Sequence, residues 1–215
     1  MPMRPWLLAI AVPVLAANLG GCRSLRFLNY LFAPNTKETV KPEYAALPGT
    51  CVAVVVYTTD KIQAEHHDIQ RDVSLVVTAE LKDHVKDLTV VEPQRILKYQ
   101  RENLFWFEMD KTKLGKDLGA GYVLYVSLEE FSTVAPGTLQ LYQGRLMAQA
   151  SLFKTDLPER DSRVWGPKEF RIVHPEVAPS ANPAESDASI RYATVTIFAD
   201  QLSKKFYEYT IEETQ

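Results

Sequence analysis

Six consecutive residues in the first third of the chain restrict the fold more than any other stretch. Val52-Ala53-Val54-Val55-Val56-Tyr57 is apolar throughout and is dominated by β-branched side chains. Such residues favour strands, and an uninterrupted apolar run is typical of a strand that is buried on both faces. Because strands of this kind lie in sheets covered by helices, the run predicts an α/β architecture with this strand near its centre.

The rest of the chain supplies helices and strands in an order that fits this architecture. Apolar residues recur at helical spacing from Ile69 to Val85, and again in a final helix from about Ser189 to Tyr209. Proline is favoured in the first turn of a helix, so Pro93 predicts a helix start, and Asp110 can cap another. Four further strands are predicted at Leu88–Val91, Tyr122–Thr133, Leu141–Thr155 and Arg163–Val173.

The predicted fold is therefore an α/β (α+β) sandwich with a mixed sheet of about five strands packed with helices. The element order is β-α-β-α-α-β-β-β-α, and no internal repeat is present. Pro167 falls inside the last predicted strand, where it cannot donate a ladder hydrogen bond. That strand is therefore expected to lie at an edge of the sheet or to contain a bulge.

Size and charge narrow the classes of function. The chain has 215 residues, of which 46% are apolar and 24% charged, as is ordinary for one globular domain with its own core. Its net charge of −3 gives no electrostatic footprint for nucleic acid. We therefore expect no nucleic-acid partner.

The amino terminus has the order of a secretory signal. A positive start, Met1–Arg4, is followed by the apolar run Trp6–Ala17 and then by small residues that lead to a cysteine. The apolar run is too short for a membrane-spanning helix, which needs about 20 residues. A soluble secreted protein would carry an Ala-x-Ala-like cleavage site, and Ala16-Ala17-Asn18 is a poor one.

The motif Leu19-Gly20-Gly21-Cys22 resembles the lipobox of bacterial lipoproteins. The resemblance implies a signal peptide over 1–21, cleavage between Gly21 and Cys22, and a diacylglycerol and an N-acyl chain on Cys22. It places the protein in the bacterial cell envelope, anchored to a membrane and facing the periplasm. Arg23 and Ser24 replace the aspartate that retains enteric lipoproteins in the inner membrane, which favours the outer membrane.

Lipidation of Cys22 also decides how the second cysteine is interpreted. Cys51 would then be without an intramolecular disulfide partner, and its place at the start of an apolar run favours a small buried hydrophobe. Residues 22–49 are predicted to be a lipidated tether, punctuated by Pro34, Pro42 and Pro48. Residues 50–215 are predicted to form the single domain, with a mobile loop at 175–188.

A second resemblance concerns the domain. Lys113–Leu124 (KLGKDLGAGYVL) resembles a segment of the TolB amino-terminal domain and of CsgG-like lipoproteins, where a short helix ends in Leu-Gly-Ala-Asp-Tyr and runs into a core strand. Gly121 stands where those families have aspartate. The resemblance implies a two-layer or three-layer α/β sandwich and is compatible with a homo-oligomer, since CsgG-like relatives form rings. It does not extend to a pore, because no additional membrane hairpins are predicted.

The sequence contains no constellation that predicts catalysis or a metal site. His66-His67-Asp68 is the strongest metal candidate, but adjacent histidines on a helix point about 100° apart; His84 and His174 lie elsewhere. Glu129 and Glu130 would point to opposite faces of a strand. No phosphate-binding glycine loop follows the first strand. We therefore expect a non-enzyme with no cofactor other than the lipid on Cys22.

An aromatic cluster is the best candidate for binding. Phe105-Trp106-Phe107, with Tyr99 nearby, can either cap the core beneath a loop or form an interaction patch, since aromatic residues are enriched at interfaces. The same alternatives apply to four aromatic residues predicted to lie on the final helix, Tyr192, Phe206, Tyr207 and Tyr209.

The function predicted from the sequence is that of a non-catalytic, lipid-anchored periplasmic protein. It would act through protein–protein contacts in the envelope, in an assembly, scaffold or accessory role, with a partner that the sequence does not identify. The alternative is a lipoprotein that carries a lipid or another small ligand in a cleft beside the loop 175–188. An enzyme is the third class.

Overall fold

The structure is a computed structural model, and it describes residues 37–138, 141–177 and 186–212. The predicted signal peptide, Cys22 and the first part of the predicted tether lie outside these residues. So does 178–185, which is most of the predicted loop. Thr39–Thr210 form one compact unit, and the terminal residues belong to a second one.

The described elements include seven strands, five α-helices and one 3₁₀ turn. The strands are β1 (Lys37–Val40), β2 (Cys51–Thr58), β3 (Thr89–Val90), β4 (Tyr122–Val134), β5 (Tyr142–Lys154), β6 (Arg163–His174) and β7 (Tyr209–Glu212). The helices are α1 (Asp60–Glu65), α2 (Ile69–His84), α3 (Pro93–Glu102), α4 (Lys111–Leu118) and α5 (Asp187–Ser203), with the 3₁₀ turn at Glu159–Asp161.

Five strands form a mixed sheet in the order β3-β2-β4-β5-β6, which confirms the predicted fold class. β2 runs parallel to both of its neighbours, with Val54 opposite Leu124 of β4. β4, β5 and β6 are joined as antiparallel pairs. β1 and β7 form a separate two-stranded sheet.

The central strand is buried on both faces, as its sequence predicts. Val54 and Val56 belong to a large core that contains the apolar sides of α2 and α5. Ala53 and Val55 belong to a smaller core formed with α3 and α4. The helices therefore lie on opposite faces of the sheet, which we call the first face (α2 and α5) and the second face (α3 and α4).

The local signals for several element boundaries are also confirmed. Pro93 is in the first turn of α3, and the Asp110 carboxylate accepts a hydrogen bond from the Thr112 N–H at 2.8 Å at the start of α4. α4 ends at Leu118 and is capped by Gly119, whose positive φ of 71° suits glycine. The chain then passes directly into β4.

Pro167 lies on an edge strand and at a bulge, which confirms both alternatives offered for it. β6 is the last strand of the sheet, and its register with β5 shifts between Ala150 and Leu152. At this shift Gly166 has a φ of 82°, and a Cβ there would collide with the Ala150 carbonyl oxygen. The irregular edge is thus built from the Gly166-Pro167 pair.

Four details differ from the sequence prediction. The final helix α5 ends at Ser203 and not near Tyr209, because Lys205 N–H and Phe206 N–H close turns onto Leu202 and Ser203 at 3.1 and 2.9 Å. Phe206 is nevertheless buried, so the apolar spacing continued past the helix end. The short elements α1, β1 and β7 were not predicted.

The end of the predicted tether contacts the domain. Leu47 is fully buried in the large core, and Tyr44 packs against it. The Glu43 carboxylate accepts hydrogen bonds from Trp165 Nε1 at 3.1 Å and Lys168 Nζ at 2.6 Å, and pairs with Lys205 at 3.3 Å. These interactions fix residues 43–47 on the sheet and the end of α5. No helix among the described residues is long and apolar enough to cross a membrane.

Candidate functional site

A surface cleft opens where β2 ends. It has a volume of about 440 Å³ and lies between residues of α1 and α2 on one side and residues from α3 onward on the other. In α/β sheets, ligands bind outside the carboxyl ends of strands, at the point where successive connections leave toward opposite faces. β2 meets this description, because α2 covers one of its faces and α3 covers the other. We call this feature the β2 cleft.

Three glutamine side chains form the polar interior of the β2 cleft. Gln70 Nε2 and Gln100 Nε2 both donate to the Val56 carbonyl oxygen, at 2.8 and 3.1 Å, and Gln70 also donates to Gln100 Oε1 at 3.1 Å. The Thr58 hydroxyl donates to Gln63 Oε1 at 2.9 Å. These amides therefore join the end of β2 to α1, α2 and α3, which gives them a structural role.

The charged groups around the cleft fall into two sets. Asp68 pairs with Arg71 at 3.1 Å and with the exposed His67 at 3.0 Å, and Arg71 also reaches Asp72 at 3.3 Å. Asp60 and Arg101 line the cleft as well. Across the part of the chain that the structure describes, neither of these two forms an ion pair or a side-chain hydrogen bond.

Leu104, Trp106 and Phe107 form one wall of the cleft, whereas Phe105 lies outside its lining. The segment divides into a buried and an exposed part. Trp106 is only 7% exposed, with its ring 6.0 Å from Tyr57 in a T-shaped arrangement. Leu104 and Phe105 are 76% and 68% exposed, and Phe107, 5.6 Å from the Tyr57 ring, is partly exposed. Both interpretations of the cluster thus apply, to different residues. We call Leu104, Phe105 and Phe107 the aromatic patch.

The turn that carries the aromatic patch is held in place from below. Lys111 Nζ donates to the carbonyl oxygens of Phe107 and Met109 at 2.7 and 2.9 Å, and lies 4.5 Å from the centre of the Tyr125 ring. Burial lowers the pKa of the Lys111 ammonium and raises the pKa of Tyr125 to about 12. A half-buried ammonium with these partners holds the loop backbone in place.

Tyr99, predicted to belong to the same cluster, packs against the smaller core. Its hydroxyl donates to Asp117 Oδ2 at 2.8 Å, and burial together with this hydrogen bond raises its pKa to about 12. It connects α3 to α4.

The histidines do not converge on a metal site. The His66 ring contacts the edge of Phe131 at 4.9 Å between ring centroids, and His84 stacks on Tyr207 at 4.7 Å. His67 pairs with Asp68, whereas His174 ends β6. Within the described ranges, no three His, Cys, Asp or Glu side chains form a group that could hold a metal ion.

The other residues considered from the sequence are placed as follows. Glu130 pairs with Arg145 at 2.9 Å, and Glu129 is exposed. Cys51 is a half-buried free thiol that packs against the smaller core, so it is less enclosed than its pattern predicted. Tyr192 is 68% exposed on α5, whereas Phe206 is buried with its ring 5.0 Å from Trp165.

Two further aromatic residues lie beyond the end of α5. Tyr207 packs on His84, and its ring is 6.2 Å from that of Tyr209. The Lys204 ammonium lies 5.3 Å from the centre of the Tyr209 ring. Both rings are therefore engaged in local contacts, and neither is on the final helix as the sequence predicted.

A second cleft of about 560 Å³ separates α2 from α5. Leu75, Val76 and Tyr192 supply its apolar side chains. Arg191 also lines it, pairs with Asp72 at 3.5 Å and Asp187 at 3.9 Å, and contacts His66 Nδ1 at 3.4 Å. Burial, followed by the positive charge of Arg191, lowers the pKa of His66. We call this feature the α2–α5 cleft.

Sequence reasoning found the aromatic segment but not the β2 cleft. The cleft interior is made of three glutamines, Gln63, Gln70 and Gln100. Glutamines that hydrogen-bond to one another in a fold have no fixed spacing in the sequence, so no motif marks them. One signal was available: Leu97, Arg101 and Leu104 are spaced i, i+4 and i+7, as residues on one helical face are.

Comparisons with known proteins find structures of low sequence identity and low TM-score. No protein-family model and no curated protein sequence matches the chain. Lipoprotein GNA1162 from Neisseria meningitidis aligns with 16% identity and a TM-score of 0.46, over 72% of this chain and 98% of its own. A PelC dodecamer from Paraburkholderia phytofirmans aligns with 10% identity and a TM-score of 0.44, over 80% and 97%.

The LpoB C-terminal domain from Salmonella enterica aligns at 15% identity and a TM-score of 0.30, over 60% of this chain and 84% of its own. A minor lipoprotein from Acinetobacter baumannii aligns at 7% identity and a TM-score of 0.35, over 73% and 91%. Bacterial lipoproteins are thus among the similar structures. At these identities and TM-scores, no function is transferred from them.

Proposed function

We propose that this protein is a non-catalytic lipoprotein of the bacterial envelope that acts through protein–protein contacts made by the aromatic patch. The observation that carries the proposal is the exposure of Leu104 and Phe105, at 76% and 68%, on a turn fixed by Trp106 and Lys111. Large apolar side chains held rigidly in solvent are typical of interaction surfaces.

The lipid anchor rests on the motif Leu19-Gly20-Gly21-Cys22 and its resemblance to the lipobox. Each buried methylene contributes about 0.8 kcal/mol, so several acyl chains together hold a protein stably at a membrane. We propose that the protein faces the periplasm from the outer membrane. Cys22→Ser should move it from the membrane to the soluble fraction of lysed cells. Unchanged membrane retention of this variant would contradict the anchor.

A non-catalytic role is supported by how the polar groups of the β2 cleft are used. Gln63, Gln70 and Gln100 hydrogen-bond to one another, to Thr58 or to the backbone of Val56. Asp68 and Arg71 neutralise each other. A general acid or base must be a titratable group that can reach its substrate. The glutamine amides do not titrate, and the Asp68 carboxylate is engaged in ion pairs, which leaves Asp60 as the carboxylate of the described lining without a partner.

Site-specific photo-crosslinking in intact cells tests the contact surface. A photoreactive phenylalanine analogue replaces Phe105 in one strain and Tyr192 in another, because both side chains are 68% exposed. We expect a discrete covalent adduct from position 105 and none of the same mass from position 192. The absence of an adduct at 105, or the same adducts at both positions, would contradict the proposal.

Mass spectrometry of the adduct distinguishes a different protein from a second copy of this chain. The CsgG-like resemblance is compatible with a homo-oligomer. In that case we expect an adduct of twice the chain mass. We also propose, from the resemblance of Lys113–Leu124, that the domain is related to the TolB and CsgG-like families.

The second candidate function is the carriage of a lipid or small ligand. It is favoured by the α2–α5 cleft, whose lining includes Asp187 and Ala188. These two residues were predicted to end the loop 175–188 and instead begin α5. The apolar Leu75 and Tyr192 beside the Arg191 guanidinium would suit an amphiphilic anion. Native mass spectrometry of the protein from membranes tests this: an added small-molecule mass that Arg191→Ala removes would support a carrier.

A further inference from the structure

The β2 cleft has three properties that together describe a partner. First, Leu104 and Phe107 expose apolar side chains along one wall. Second, the glutamine side chains in its interior are hydrogen-bonded within the protein. Third, one lining cation has no pairing partner among the described residues. The inference drawn from them rests on the proposed function, because it concerns the chemistry of the partner.

The unpaired cation, Arg101, lies in the sequence between two apolar residues of the cleft lining. It lies in the last turn of α3, four residues after Leu97 and three before Leu104, and all three line the cleft. A guanidinium offers a planar fork of donors that matches a carboxylate. Arginine beside aromatic residues is a frequent centre of interface binding energy.

Among the described residues that line the cleft, Arg101 is the basic group without an ion pair. Lys98, one turn earlier, is engaged with Glu102 at 3.7 Å. Arg71, across the cleft, is held by Asp68 and Asp72. A carboxylate that approaches the α3 side therefore meets a guanidinium that no described side chain pairs with.

Asp60 sets the direction of approach. It lies in the first turn of α1, where the N-terminus of a helix favours a negative charge without help from a partner. Asp60 would repel a second carboxylate placed near it. The acidic group of the partner is thus expected at the α3 rim, beside Leu104, and not on the α1 side.

We propose that the β2 cleft binds an extended segment of a partner protein in which a large apolar or aromatic side chain stands next to a carboxylate. The apolar side chain packs on Leu104 and Phe107, and the carboxylate pairs with the Arg101 guanidinium. The volume of about 440 Å³ accommodates one or two side chains, which suits a short linear segment.

A peptide array tests this inference with defined probes. Octapeptides centred on phenylalanine carry glutamate, lysine or serine on both sides, and they are probed with the full-length protein in detergent. We expect the glutamate-flanked peptides to bind about tenfold more tightly than the lysine-flanked ones, as a hydrogen-bonded charge pair gives. Arg101→Glu should reverse this order.

Lys98→Glu is the matched control, because it makes the same charge change one turn earlier on α3, outside the cleft lining. It should leave the peptide preference unchanged. Equal binding of glutamate- and lysine-flanked peptides, or a preference that survives Arg101→Glu, would overturn the inference.

Two further outcomes separate this inference from alternatives. Binding to phosphatidylglycerol vesicles that Arg101→Glu abolishes, together with no peptide binding, would overturn it in favour of a lipid surface. If the adduct at position 105 forms in cells while the array shows no charge preference, the proposed function stands and this inference fails. If the adduct is absent as well, both fail.

Discussion

The two faces of the five-stranded sheet are covered to different extents. On the first face, α2 and α5 bury apolar side chains from all four long strands, including Leu146 and Phe170 of β5 and β6. On the second face, α3 and α4 cover β2 and the start of β4, and Gln149 and Glu169 of the outer strands are exposed. The first face thus holds the fold together, whereas the second leaves surface for contacts.

The aromatic patch belongs to the incompletely covered side. Its turn joins α3 to α4, the two helices of the second face, and Trp106 packs into the smaller core. The patch therefore adjoins the helical layer of α3 and α4, which covers only part of the second face of the sheet. This comparison leads to four predictions.

The largest effect is expected in the core of the first face. Phe198 is fully buried on α5, with its ring 5.5 Å from Phe170 in a T-shaped contact. Phe198→Ala should lower the free energy of unfolding by about 3–5 kcal/mol, because it removes apolar contacts and leaves a cavity. Urea denaturation measures it.

Gln149→Ala is the control for that substitution. Gln149 is exposed on the second face, and its loss should change stability by no more than about 0.5 kcal/mol. Comparable losses in the two variants would refute the unequal coverage of the two faces.

The close approach of α5 to β5 gives the second prediction. A Cβ at Gly144 would lie 2.9 Å from Thr194 Cβ and 3.1 Å from Ile190 Cγ2. Gly144→Ala should therefore cost about 1–3 kcal/mol of stability through overpacking. Thermal unfolding measures the loss.

Combining Gly144→Ala with Thr194→Ala tests whether the Thr194 side chain causes this loss of stability. If the collision with the Thr194 side chain is responsible, the double variant should lose less stability than the sum of the two single variants, by about 0.5 kcal/mol or more. Strict additivity would count against the close contact.

Sequence patterns revealed the first face well because its elements have strong periodicity. Ile69, Val73, Val77 and Leu81 share the helical stripe of α2, and all four are buried. The β-branched run of β2 likewise specified a strand between two layers. The same periodicity predicted too long a helix for α5. Phe206 lies in a turn after the helix but is buried, so its position in the sequence matches the apolar spacing of the helix.

The elements that sequence reasoning missed have little local signal. α1 is a six-residue helix with one buried residue, Ile62, and the strands β1 and β7 are four residues each. Trp106 and Phe105 show the same limit at the site. Two adjacent aromatic residues look alike in a sequence, and only the packing of Tyr57 and Tyr125 around Trp106 separates them.

The third prediction concerns pH. Burial and the nearby Arg191 charge lower the pKa of His66 below its ordinary value of about 6.5. The unfolded chain therefore binds the proton more readily, so that stability present above pH 6.5 is lost as the pH falls toward the lowered value.

Denaturation at pH 7.5 and 5.5 checks this expectation. The wild-type protein should be less stable at pH 5.5, and His66→Gln should show a smaller difference between the two conditions. The carboxyl groups of Glu43, Asp110 and Asp117, whose pKa values are lowered, lose their contribution only at more acidic pH. An equal pH dependence in both proteins would contradict the assignment to His66.

The smallest effect is expected at the aromatic patch itself. Phe105→Ala removes a side chain that is 68% exposed, so stability should change by less than about 0.5 kcal/mol. Circular dichroism melts provide the measurement. A large loss would mean that Phe105 supports the core, as Trp106 does, and would weaken its role as a contact residue.

The attachment of Glu43 to Trp165, Lys168 and Lys205 has a mechanical consequence. If Cys22 holds the chain in a bilayer, a pull on the anchor reaches β1, paired with β7, before it reaches Glu43. The spacer between the anchor and β1 is then 14 residues, Arg23 to Thr36, and spans at most about 50 Å at roughly 3.5 Å per residue. Glu43 is thus a second point, after β1, at which tension on the anchor would pass into the domain.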